Sequence, residues 1–225
     1  EAQDDPDAFV HTLAQKVLIA SVAKVRSSPS VVSPHPKSPL PPLPAVPLGS
    51  SSSFDRVLIG LGASTGGTEA TLEVMKRLPA DIPGMVIVQH MPPGFTKMYA
   101  DRLNRLCKME VREAKNGDEL HRGLALVAPA DLQARVVRIV DVLFQSMSEV
   151  VQCKMVGIIM TGMGQDGAAG LLAMRQKGAY TIGQNKETCV VYGMPAVAHE
   201  IGAVCTQASC TDIAGVLIRH LKALS

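Results

Sequence analysis

With 225 residues, 22 Lys and Arg against 20 Asp and Glu, and 47% hydrophobic residues, the chain has apolar material for one core of ordinary size and a net charge of only +2. That balance argues against nucleic-acid binding, which calls for a basic excess or stripe, and the longest apolar runs, such as Met155 to Met160, fall far short of the roughly 20 residues a membrane-inserted span needs. Five cysteines (Cys107, Cys153, Cys189, Cys205 and Cys210) without C-x-x-C spacing suit neither a disulfide framework nor a zinc knuckle, and a reducing, cytoplasmic setting is expected.

Residues Glu1 to Val10 hold four acids and no basic residue, unlike a secretory signal. Asp5 and Pro6 suit the start of a helix, and Val10, Leu13, Ala14 and Val17 recur at helical spacing. A lone amphipathic helix normally packs on something, so residues 1–26 read as the closing helix of a preceding domain, with a frayed arm as the other reading. Residues 27–53 hold eight of the 15 prolines and nine serines. They read as an extended linker that buries no core.

From residue 54 to 225, short β-branched runs alternate with helical patterns. The expected strands are Arg56 to Gly60, Met85 to Gln89, Leu124 to Ala128, Lys154 to Met160 and Tyr180 to Gly183. The expected helices are Glu69 to Leu78, Phe95 to Leu106, Val142 to Val151, Ala168 to Lys177 and Asp212 to Leu224. Nearly continuous apolar strands separated by helices predict a doubly wound, Rossmann-like α/β fold, with a mostly parallel sheet covered by helices on both faces. In such sheets the site lies beyond the carboxyl ends of the strands.

Three of those ends carry chemistry. Gly62-Ala-Ser64-Thr-Gly66 fits G-x-S-x-G, in which glycines permit the sharp turn that presents a serine hydroxyl. Gly60, Gly62 and Gly66 also approximate a dinucleotide fingerprint, but the second strand ends in Gln89-His90 where a ribose-binding acid would stand. His90 is either a packed structural residue or, if the first two strands are neighbours, a general base for Ser64. Asp166, in Thr161-Gly-Met163-Gly-Gln-Asp166-Gly, is a candidate N-cap of the next helix and equally a carboxylate that orients the imidazole. The order serine, histidine, aspartate differs from that of the α/β-hydrolases, where the acid precedes the histidine.

Gly62-Ala-Ser64-Thr-Gly-Gly, Val88-Gln-His90-Met-Pro, Gly94-Phe-Thr, Thr161-Gly-Met163-Gly-Gln-Asp166-Gly-Ala and Gly193-Met-Pro, in this order, resemble the catalytic domain of the CheB family of chemotaxis protein-glutamate methylesterases. The resemblance runs from about Val57 to the C-terminus. It implies Ser64 as nucleophile, His90 as base, Asp166 as the triad acid, and backbone amides beside Thr65 and Met163 as oxyanion donors. The implied reaction is hydrolysis of γ-glutamyl methyl esters on chemoreceptor cytoplasmic helices, with glutamine deamidation in some members, and it needs no metal or organic cofactor. The resemblance also implies that full-length relatives carry a phosphorylated receiver domain before the linker, through which they would meet the chemotaxis histidine kinase. Residues 1–26 would be its last helix, and turnover by this sequence is expected to need no phosphorylation.

The sequence departs from the family pattern in one place. Ala128-Pro-Ala-Asp131 reaches Asp141 without the hairpin-like stretch and histidine expected between them. The 11 methionines read as core filler, His121 and His199 as solvated or capping residues, and Cys189 as a small packed thiol. The rivals to a receptor methylesterase are a nucleotide-binding or adaptor module that holds an anion on the glycine-rich loop at a helix N-terminus and an enzyme of the same fold acting on a signalling protein outside chemotaxis.

Overall fold

The computed structural model describes residues 57–130 and 138–224, so the expectations for residues 1–26 and 27–53, and most of the segment from Asp131 to Asp141, lie outside the described residues. The five expected strands form as β1 (Val57–Ala63), β2 (Met85–Gln89), β4 (Leu124–Val127), β5 (Lys154–Ile159) and β6 (Tyr180–Gln184). Two more complete the sheet: β3 (Glu110–Glu113) and β7 (Thr206–Ala208). Both are edge strands. Their charged or polar residues suit an edge, where an apolar run would invite pairing with another chain, and for that reason they lack the pattern of a buried strand.

The order is β3-β4-β2-β1-β5-β6-β7, and every pairing is parallel. The expected mostly parallel sheet is thus wholly parallel. One face is covered by α1 (Gly67–Met75), α2 (Phe95–Leu106) and α6 (Ile213–Leu224), which pack Val74, Leu103 and Leu217 on Ile59, Leu61 and Ile158. The other face is covered by α3 (Ile139–Val150), α4 (Ala168–Gln176) and α5 (Met194–Glu200), whose Val140, Phe144, Leu171 and Met194 share a core with Ile159. Helix α5 is an addition to the sequence expectation, and it starts at Gly193-Met-Pro with the proline in its first turn.

Strand β1 continues past its expected end because Leu61 and Ala63 keep alternating into the first core. On the opposite face, Gly60 and Gly62 let α3 approach the strand. A Cβ on Gly62 would lie 2.1 Å from Val140 Cγ1, and one on Gly60 would lie 2.6 Å from Met147 Sδ. These two glycines therefore serve helix packing, and they face no crevice in which a dinucleotide would lie. Gly62→Ala is expected to push α3 outward and cost about 1–3 kcal/mol. A lower urea midpoint at unchanged m would show it.

The chain builds outward from β1 to β2 and beyond, then crosses back to lay β5 on the other side of β1. The order reverses between β1 and β5, and a crevice opens at their carboxyl ends.

Candidate active site

Ala63 at the end of β1 pairs with Gln89 at the end of β2, so Ser64 and His90 are the next residues on adjacent strands. His90 N–H donates to Ala63 O at 3.1 Å, and Ser64 N–H donates to Thr161 O at 2.9 Å. The serine is thus seated between the ends of β2 and β5. Its carbonyl accepts Gly67 N–H at 2.8 Å, which closes the turn into α1. Gly66 has φ +80°, and a Cβ there would strike Val190 at 2.5 Å, so the turn requires glycine on two counts. Ser64 Oγ itself makes no hydrogen bond among the described residues. Catalytic hydrogen bonds of this kind often tighten only in the complex with substrate.

His90 Nε2 lies 2.9 Å from Asp166 Oδ2, although the angle falls short of an aligned hydrogen bond. A carboxylate can only accept, so Nε2 carries the proton and Nδ1 keeps its lone pair. Asp166 is 7% exposed. It does not cap its own helix: the N-cap of α4 is Gly167, in the left-handed region, without a side-chain bond. Asp166 instead receives the start of α3, with Val140 N–H donating to Oδ2 at 3.0 Å and Asp141 N–H to Oδ1 at 2.9 Å. Asp141 returns the arrangement, accepting Gly170 N–H of α4 on Oδ1 at 2.7 Å while Arg138 meets its Oδ2 at 2.5 Å. Burial works against the charge on Asp166, but the His90 ring and the two amides outweigh it and hold the carboxyl below the ordinary range. The positive end of α3 acts in the same sense.

The loop after β5 closes over the serine. A Cβ on Gly162 would stand 2.8 Å from Ser64 Cβ and 2.3 Å from Met194 Sδ. The fully buried Thr161 donates its hydroxyl to Thr65 O at 2.9 Å and accepts Val191 N–H at 3.0 Å, and its own N–H donates to Gln184 Oε1 at 2.9 Å. The backbone N–H groups of Thr65 and Met163 have no backbone acceptor among the described residues. Met163 is 76% exposed beside this loop, and Met98 is also solvent-facing, whereas most other methionines are buried as expected of core filler. Thr161, Gln184, Gln89 and Asp141 are contributors that sequence reasoning passed over. Uncharged or solvent-type residues give no motif signal when their partners are backbone groups distant in sequence.

Cys189 is half-buried, and burial pushes its thiol up to about 11, so it is no thiolate nucleophile at neutral pH. His121 and His199 are exposed. Among the described residues no group of three or more His, Cys, Asp or Glu is arranged to hold a metal ion, and no helix is long and apolar enough to cross a membrane.

A sequence profile described as CheB methylesterase matches residues 59–217. The chain belongs to the CheB methylesterase family. Two CheB relatives are the protein-glutamate methylesterase/protein-glutamine glutaminase 2 of Syntrophomonas wolfei, 42% identical over 98% of this chain and 67% of its own length, and the protein-glutamate methylesterase/protein-glutamine glutaminase of Escherichia coli K12, 40% identical over 94% of this chain and 65% of its own. The chain thus spans about two thirds of the length of these relatives. The crystal structure of the Thermotoga maritima CheB methylesterase catalytic domain superposes with a TM-score of 0.68 at 33% identity, covering 72% of this chain and 97% of that one. The wholly parallel α/β fold described above is that of a CheB catalytic domain.

Proposed function

We propose that the chain is a serine hydrolase that demethylates γ-glutamyl methyl esters on chemoreceptor cytoplasmic helices and, by the same chemistry with ammonia as leaving group, deamidates receptor glutamines. The observation that carries the reading is the buried Asp166 carboxylate 2.9 Å from His90 Nε2, one strand end from Ser64. Ser64 Oγ attacks the ester carbonyl and passes its proton to His90 Nδ1. Asp166 holds the ring in the tautomer that can accept it and stabilises the imidazolium that results. The N–H groups of Thr65 and Met163, which have no backbone acceptor among the described residues, are the oxyanion donors for the tetrahedral intermediate. Its collapse transfers the proton from His90 to methanol and leaves an acyl-Ser64, which water hydrolyses with His90 again as base.

This chemistry is at home in the cytoplasm, where receptor helices and the chemotaxis histidine kinase are its partners, the latter through a receiver domain of the kind full-length relatives carry. The test is to incubate the chain with methylated receptor peptides and follow methanol release together with peptide mass. Each hydrolysed ester should lose the mass of one CH2. Unchanged peptide masses would reject the receptor as substrate, and hydrolysis of simple methyl esters in the same preparation would then locate the error in substrate choice.

A further inference from the structure

Gln89 is 2% exposed at the last position of β2, and its side chain turns toward the site just described. Its Nε2 donates to two backbone carbonyls, Ser64 O at 2.8 Å and His90 O at 3.1 Å. Both partners accept only, so the amide nitrogen must face them and the orientation of the group is fixed. Its Oε1 is buried and has no hydrogen-bond partner among the described residues. Gly67 makes room for that oxygen, since a Cβ there would lie 2.2 Å from it.

Burying a carboxamide with its oxygen unsatisfied disfavours folding, and a methionine of similar shape would fill the same space without that penalty. What only the amide supplies is one rigid group whose two N–H bonds are shared between the residue that presents the hydroxyl and the residue that presents the imidazole. We infer that Gln89 is a positioning residue, which fixes the separation of Ser64 and His90 by tying together the backbone of both. The inference rests on the serine-hydrolase reading above. Proton transfer from Ser64 to His90 requires heavy-atom contact of about 2.6–3.2 Å, and the Ser64 N–H bond to Thr161 O ties the serine to the β5 side, whereas Gln89 ties it to the residue that carries the imidazole. Gly67 N–H closes the same carbonyl from the α1 side, so with Gln89 in place the Ser64 peptide is held from two directions.

The experiment is steady-state hydrolysis of a γ-glutamyl methyl ester peptide by the whole chain, as a function of pH, for wild type, Gln89→Met, Gln89→Glu and Ser64→Ala, with thermal melting of each. Gln89→Met removes both donors and should lower kcat about 100-fold, the loss expected of a misplacement near 1 Å, while KM stays within about two-fold. In Gln89→Glu, burial and the two carbonyl oxygens favour the protonated acid, which can donate one bond, over the carboxylate, which can donate none. Its turnover relative to wild type should therefore fall as pH rises. A purely structural role would lower melting temperature without that pH trend. If Gln89→Met does not fold, the pH trend of Gln89→Glu decides alone. A kcat for Gln89→Met within about two-fold of wild type, or a flat Gln89→Glu ratio, overturns the inference. Turnover that survives in Ser64→Ala removes the serine reading, and this inference with it, whereas a silent Ser64→Ala beside an unimpaired Gln89→Met rejects Gln89 alone.

Discussion

Ser64→Ala is expected to abolish methyl-ester hydrolysis, with kcat falling by about 10⁴-fold or more, and to leave the melting temperature within about 2 °C of wild type. The two halves of this expectation come from different atoms of one residue. The hydroxyl has no hydrogen-bond partner among the described residues, so its removal strands no donor or acceptor. The fold uses the backbone of Ser64 instead, through its N–H to Thr161 and its carbonyl to Gly67 and Gln89, and alanine keeps all three bonds. Alanine also matches the small volume beside Gly162. Measured turnover near wild type would show that the attacking group lies elsewhere.

Asp166→Asn is expected to cost both activity and stability. An amide nitrogen in place of Oδ2 would face the Val140 N–H, and in place of Oδ1 it would face the Asp141 N–H. One buried donor then opposes another in either orientation, at a cost of about 1–3 kcal/mol. Catalysis should fall further, by about 10⁴-fold, because the neutral amide neither fixes the Nε2–H tautomer of His90 nor supports its charge. The stability difference also has a pH signature. Asp166 is held below the ordinary carboxyl range in the folded protein, so its contribution is complete above the unfolded value of about 3.9 and is lost as pH falls through the folded value. The variant has no carboxyl to protonate at this site, and the gap between the two proteins should therefore close below about pH 4. Urea titrations of both proteins at several pH values measure it. A gap of constant size would mean that the Asp166 carboxylate is not what α3 rests on.

The central strands were legible in the sequence because each is buried on both faces and reads as a continuous apolar run, as in Met85–Gln89 and Lys154–Ile159. The edge strands were not, because Glu110-Val-Arg-Glu113 and Thr206-Gln-Ala208 are shaped by their exposure. Ser64, His90 and Asp166 stand out in the sequence because motif spacing and strand ends both point to them, and the structure brings His90 and Asp166 into contact while the Ser64 hydroxyl has no hydrogen bond among the described residues. The capping reading of Asp166 was right in kind and wrong in address. Local sequence suggests that a carboxylate before Ala168 caps α4, whereas it receives the amides of α3, which the chain forms some 25 residues earlier. Only the close packing of α3 on Gly62 makes that possible, and no window of sequence contains both partners.

The exchange between Asp166 and Asp141 also governs how the site comes into being. The carboxylate beside the His90 ring takes its own orientation from the opening turn of α3, and α3 packs on the glycine face of β1. An intermediate with the sheet formed but α3 undocked would have its serine and histidine on neighbouring strands and no ionised partner locked beside the ring. Under the proposed triad, catalytic competence requires the docking of this one helix, and a local opening of α3 would switch the site off while most of the molecule stayed folded.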